Sequence, residues 1–270
     1  MKIFDTHTHY SDEKYDSDRY SILEFIKSNN VFDILLISAN MDEIISNNNL
    51  INDIHIINNT KIYPNIYTSV GIHPDEIPEF DPNSNEGKIF FDKINSYIND
   101  KVLTIGEIGL DYHEKKDTQI IENQKKWFIE FLNFAKEKKL PVNIHSRDAS
   151  IDTYEIIKNY GKGLTGIIHC YSYDKELAKK FVELGFLIGV GGVVTFKNGK
   201  KLKETVDEIP LEYIVSETDC PYLSPEPHRG ERNNSSYIQY VLKEIANIKH
   251  LDFDFVCEKV YENALRVYNC

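Results

Sequence analysis

Two histidines, His7 and His9, sit one residue apart near the start of the chain, in Asp5-Thr6-His7-Thr8-His9. In extended backbone, side chains two residues apart point to the same face, so both imidazoles can reach one point. Four further residues stand at the carboxyl ends of short apolar runs. Glu107 lies in Gly106-Glu107-Ile108-Gly109-Leu110-Asp111-Tyr112, and His145 in Asn143-Ile144-His145-Ser146-Arg147-Asp148. His169 lies in Ile167-Ile168-His169-Cys170, and Asp219 in Ser216-Glu217-Thr218-Asp219-Cys220-Pro221-Tyr222. Four histidines and two carboxylates suit two borderline or hard divalent ions such as Zn, Mn or Mg. The two oxygens of Glu107 can each take one ion. Two ions about 3.5–4 Å apart can generate a hydroxide and hold the entering and leaving oxygens of a phosphoester. Alone, each residue reads as an ordinary cap or hydrogen-bonding side chain; their shared placement at run ends points to metal chemistry.

The elements that must position them alternate. Apolar, β-branched runs at 3–6, 33–38, 66–71, 102–106, 141–145, 165–170, 186–190 and 213–217 read as buried parallel strands. Amphipathic stretches lie between them, clearest at 118–139, where Ile121, Gln124, Phe128, Phe131, Leu132 and Ala135 share a side. Asp117 or Thr118 can cap that helix and Pro141 stops it. Similar patterns occupy 150–160, 174–184 and 253–268, while 73–99 and 224–236 read as loops or extra helices on one face. Eight strands alternating with helices predict one (β/α)8 TIM barrel domain over residues 1–270, with an open doubly wound sheet as the alternative. In such barrels catalytic residues come from the carboxyl ends of several strands, where all six candidates fall. His73, at the end of the third strand, can touch a phosphate or leaving group, or make a structural hydrogen bond.

Composition excludes several classes. The formal net charge of −12 gives no general basic surface for coating nucleic acid. A phosphate-bearing substrate must be held locally, by metal ions and a few Arg or Lys, and bound cations reverse the local charge of their ligands. Cys170, Cys220, Cys257 and Cys270 form no Cys-x-x-Cys pair and read as reduced cytoplasmic thiols. Cys170 and Cys220 flank candidate ligands and read as small buried fillers. No apolar run approaches the about 18 residues of a membrane span, and the start of the chain has no signal-peptide pattern.

Taken together, these blocks resemble the TatD family of metal-dependent deoxyribonucleases, within the amidohydrolase-like barrel group. The resemblance runs from Phe4-Asp5-Thr6-His7-Thr8-His9 through Val70-Gly71-Ile72-His73-Pro74 and the blocks around Glu107, His145, His169 and Asp219 to Asn263-Ala264-Leu265-Arg266. It implies that His7, His9, Glu107 and Asp219 hold one metal ion and that Glu107, His145 and His169 hold a second. It also implies a hydroxide nucleophile, with Asp219 able to take its proton. The implied activity is cleavage of DNA phosphodiesters at the 3′ ends of single strands, by a monomer or weak oligomer. His228-Arg229-Gly230-Glu231-Arg232-Asn233 resembles the family's R-G-x-R-N segment. Arg229 can bind phosphate bidentately or pin the loop to neighbouring carboxylates, and Arg147, which follows a candidate ligand, either braces the site or, the favoured reading, serves the structure. Two segments depart from the family pattern, Tyr171-Ser172-Tyr173-Asp174 and Asn234-Ser235-Ser236, both in loops that bear on substrate choice. A related barrel hydrolase acting on an amide, lactone or small phosphoester is the second reading. Many such relatives carry a carboxylated Lys where this chain has Glu107. A catalytically silent binding scaffold is the third, and it predicts lost ligands where none is lost.

Overall fold

Parallel β-strands alternate with helices along the whole chain. The computed structural model describes residues 1–57, 62–113 and 117–270. In chain order the regular elements are β1 (Ile3–Thr8), α1 (Arg19–Ser28), β2 (Val31–Leu36), α2 (Met41–Ile57), β3 (Asn65–Val70), α3 (Asn85–Asn95), β4 (Val102–Asp111), α4 (Thr118–Lys138) and β5 (Val142–Arg147). They continue as α5 (Ser150–Tyr160), β6 (Gly166–Ile168), α6 (Lys175–Glu183), β7 (Phe186–Val190), α7 (Lys200–Glu208), β8 (Ile214–Ser216), α8 (Ile238–Lys249) and α9 (Phe253–Tyr268). The sheet runs β1 to β8 in sequence order, each strand parallel to the next, giving a nearly closed (β/α)8 TIM barrel. Sequence order follows from the helical crossovers, which return the chain to start each strand beside the last.

The helices form where sequence supplies a cap and a stripe. At α4 the Asp117 carboxylate accepts from Gln119 N, and Gln124, Trp127, Phe128, Phe131, Leu132, Phe134 and Ala135 are buried. Lys139 then turns left-handed (φ 55°) and Pro141 follows. Trp127 is fully buried among Phe80, Phe90, Phe91 and Phe131, so the segment before β4 is anchored by aromatic packing through α3.

Strand bounds differ from the periodicity reading where chemistry replaces apolar pattern. β1 runs through His7 to Thr8, and β5 through His145 to Arg147, so both histidines lie inside strands. β4 is the largest departure. Glu107 does not end it; the strand continues to Asp111, with every residue buried and with pairing to β5 shifted between Ile105 and Ile108. A bulge of this kind re-aims a side chain without ending the strand. Gly109 has φ +145°, and a Cβ there would lie 2.0 Å from His145 O, so glycine lets β4 pass close to β5.

One junction is made differently. β8 and β1 share an isolated bridge, Thr8 to Cys220, in place of a ladder. Asp219 N bonds His7 O at 3.0 Å, and His9 N bonds Cys220 O at 2.9 Å. Side chains supply the rest. The Asp5 carboxylate accepts from Thr218 N (2.9 Å) and from the Thr218 hydroxyl (2.6 Å), and the Thr6 hydroxyl donates to Ser216 O (3.1 Å).

Candidate metal centre

His7, His9, Glu107, His145, His169 and Asp219 come together at the carboxyl end of the barrel. His7 sits within β1, and His9 follows one residue past its end. Their ring centroids are 5.1 Å apart, as the one-residue spacing on extended backbone requires. His169 is the residue after β6, and its ring stacks on His7 at 3.7 Å. Asp219 lies three residues past β8, in a left-handed conformation (φ 58°).

Glu107 is the hub. Its Oε1 lies 2.8 Å from His145 Nδ1 and 3.1 Å from His169 Nε2, while its Oε2 lies 3.7 Å from His7 Nε2. Asp219 Oδ1 stands 3.7 Å from His7 Nε2 and 3.4 Å from His9 Nε2. Two ligands about 2.1 Å from one ion at the tetrahedral angle are about 3.4 Å apart, so these separations are of coordination-shell size. Among the described residues four groups are close enough to hold an ion, and two of them share Glu107: His7, His9 and Glu107, with Asp219 Oδ1 3.4 Å from His9 Nε2, and Glu107, His145 and His169.

Charge state follows the partners. Burial, with His169 beside it, drives His7 well below the usual histidine range and keeps it neutral. His7 Nδ1 faces Asn143 Oδ1 at 3.3 Å. That bond takes the ring proton, so the Nε2 lone pair is bare; this nitrogen is buried and makes no hydrogen bond. An orphaned lone pair aimed between two carboxylates is the donor a divalent ion needs. Burial disfavours charge on His9, but Asp219 and Glu43 outweigh it and lift it to about 10. Burial opposes charge on His145 as well, yet Asp111 and Glu107 raise it. Glu107 and Glu217 raise His169 well above its ordinary value against the same penalty. Although burial disfavours their ionised forms, these histidines hold Glu107 and Asp219 below the usual carboxylate range. Cations entering this site would displace histidine protons.

Four supporting residues escaped the sequence reading. Asp111 Oδ2 meets His145 Nε2 at 3.1 Å, and Glu217 Oε1 lies 3.4 Å from His169 Nδ1. Asn143 orients His7, and Glu43 Oε2 stands 3.9 Å from His9 Nδ1. Carboxylates behind metal-ligating histidines are a recurrent feature. Asp111 and Glu217 lay inside the recognised blocks, and a search for a second carboxylate near each histidine would have found them. Asn143 and Glu43 carried no such signal. Gly189 belongs to the same support, because a Cβ there would lie 2.5 Å from Glu217 Oε2.

His73 packs edge-on against His145, with centroids 4.3 Å apart. Its Nδ1 accepts from Asp75 N at 3.1 Å, so in the neutral ring Nε2 carries the proton and is a donor. Arg229 is exposed, and its guanidinium stacks 3.8 Å over the Phe196 ring. Among the described residues it makes no ion pair. The pinning expected of Arg229 is done by Arg232, which grips Asp18 with two nitrogens and also bonds Lys14 O. The Arg147 side chain is exposed and, among the described residues, makes no hydrogen bond or ion pair; its backbone pairs with β4. The departing loops are structural as well. Tyr173 OH bonds Ser146 Oγ and Ala149 N, and Tyr10 OH bonds Ser235 Oγ and N. Of the two cysteines expected to be buried fillers, Cys220 is buried and Cys170 only partly so.

The family described as TatD related DNase matches residues 4–269. Among curated relatives, the uncharacterized metal-dependent hydrolase YabD of Bacillus subtilis (strain 168) is 36% identical over 267 residues, covering 98% of each chain. The uncharacterized metal-dependent hydrolase YcfH of Escherichia coli (strain K12) is 32% identical over 206 residues, 76% of this chain and 74% of that one. A TatD homologue from Escherichia coli K12, YJJV, shares the fold with a TM-score of 0.81 at 23% identity, over 99% of this chain and 98% of that one. With a match over nearly its full length and near-complete coverage of such a relative, the chain belongs to the TatD family of metal-dependent hydrolases.

Proposed function

We propose that this hydrolase cleaves DNA phosphodiester bonds, trimming single strands from the 3′ end, with two divalent ions, Mg, Mn or Zn. The carrying observation is that two ligand-sized groups share Glu107. In this reading His7, His9, Glu107 and Asp219 hold one ion, and Glu107, His145 and His169 the other. Such a pair would supply an acidified water and draw charge off a phosphoryl oxygen. Asp219, kept ionised and only partly buried, accepts the proton of the attacking water. His73 donates to a phosphate or leaving-group oxygen. Arg229, with its donors uncommitted, takes an adjacent phosphate. The family description supports DNA as the substrate class. Phosphate in the active site of a barrel relative of this fold, an Escherichia coli phosphotriesterase homology protein (12% identity, TM-score 0.68), supports a phosphoryl-binding site. Four free thiols fit a reducing, cytoplasmic setting.

The test is a panel on purified protein: labelled single-stranded and duplex DNA, RNA, and small phosphodiester, amide and lactone substrates, each with Mg, Mn or Zn. Metal loading should approach two equivalents, and single-stranded DNA should be the best substrate. Saturation at one equivalent would break the bridging role of Glu107. Turnover of amides or lactones without phosphodiester cleavage would replace the nuclease reading with that of a related barrel hydrolase.

A further inference from the structure

A cavity of about 390 Å³ opens beside the metal centre, over β1 and β2. Its lining includes His9, His73 and Glu107 of the candidate site together with Asp12, Asp42, Glu43 and Tyr222. That volume lies in the range that holds one small organic group. No Lys or Arg lines it among the described residues. Its walls therefore bring three carboxylates besides Glu107 beside the candidate metal centre. Tyr222 is an aromatic ring at the mouth, 46% exposed. Its hydroxyl donates to Asp12 Oδ2 (3.1 Å), and Lys14 Nζ lies 4.0 Å over its face. The loops after β7 and β8 have the opposite character, with Arg229 stacked on Phe196 and Lys197 exposed beside it.

We propose that this cavity receives the terminal, uncharged nucleoside of a strand and rejects a terminal phosphate, so that open hydroxyl ends are cleaved and phosphate-capped or circular strands are not. The proposal rests on the nuclease reading above and adds the charge rule at its end-binding subsite. Every base has a face that can stack on Tyr222, so the subsite tolerates sequence. Base amino groups and the terminal hydroxyl are donors, and Asp12 and Asp42 are acceptors. A further phosphate would stand among like charges, which excludes wrong occupants. The rest of the strand leaves toward Arg229, where its phosphates meet cations.

The experiment uses the metal-loaded full chain and single-stranded oligonucleotides of one sequence, bearing hydroxyl or phosphate at either end, plus the circular form. Phosphate on the attacked end should lower kcat/KM at least about tenfold, and the circle should resist. In Asp12→Asn/Asp42→Asn the ratio of hydroxyl-ended to phosphate-ended kcat/KM should shrink by about tenfold. Asn at position 12 can still cap Lys14 N, and Asp42 is an exposed residue of α2, so both changes preserve the fold. Equal cleavage of capped and open ends, or an unchanged ratio in the folded double variant, would each overturn the proposal alone, and ready cleavage of the circle would overturn the end-trimming reading with it. Failure to cleave any oligonucleotide would overturn the nuclease reading, and the proposal with it.

Discussion

The two sides of the metal centre are built on different kinds of backbone. Glu107, His145 and His169 come from β4 to β6, where parallel ladders, bulged once in β4 around Glu107, fix each strand against the next. His7, His9 and Asp219 come from β1 and the segment after β8, which meet through one isolated bridge and a set of side-chain bonds. The supports differ in the same way. Carboxylates back both ladder-side histidines, Asp111 on His145 and Glu217 on His169. On the seam side His7 is oriented by a neutral amide, His9 has only the more distant Glu43 Oε2 at 3.9 Å, and Asp219 remains partly exposed, at 21%. A rigid, charge-backed half suits permanent holding of an ion, and a half facing the cavity suits proton transfer and substrate exchange. Under the proposed function, the laddered strands would set ligands and the seam would leave one carboxylate free to act.

The largest effect should come from the seam. Asp219→Asn keeps the side-chain shape but removes the proton acceptor and a ligand charge. Turnover should fall by about 10²–10⁴ or more, with the melting temperature nearly unchanged and no full rescue by excess Mn. Near-normal kcat in a folded, metal-loaded variant would sink the division of labour between the halves.

On the ladder side the expected loss is of binding. Glu217→Gln removes the charge behind His169 while keeping its size, and affinity for one of two ions should drop about 10–100-fold. A chelator titration would resolve this as one weakened step and one unchanged step. Because His145 and His169 hold protons tightly at one ion's place and His9 at the other's, both steps should tighten as pH rises and those protons leave. If both ions weakened equally, the halves would be one coupled unit and the comparison would fail.

Substrate capture should be smaller and separable from metal. Arg229→Ala should cost about 1.5–3 kcal/mol in kcat/KM for DNA, the scale of a hydrogen bond to a charged group, with metal content intact. Unchanged DNA kinetics would leave Arg229 only its stacking on Phe196. The smallest effect tests the seam itself. Thr6→Val keeps the shape and deletes the bond to Ser216 O, so stability should drop by about 1 kcal/mol in denaturant unfolding. No change would mean that the backbone bridge alone closes the barrel.

Much of this was legible in the chain itself. Eight β-branched runs and the amphipathic stretches between them dictate alternation, because buried parallel strands and one-faced helices each leave a period in the sequence. His7 and His9 declare a shared face by spacing alone, and the helices Ser150–Tyr160 and Phe253–Tyr268 span the residues their periodic stripes mark. Tertiary structure decided the rest. Local pattern could not see that β4 runs past Glu107 to bring Asp111 onto His145, because a bulge depends on the neighbouring strand. Nor could it assign the loop arginines, since Arg229 and Arg232 differ only in what the fold sets beside them, an aromatic ring in one case and a carboxylate in the other. Residue types fix which groups can ionise, ligate or stack. Which of them meet, and which nitrogen of His7 is left bare, is fixed only when strands distant in sequence are brought to contact distance.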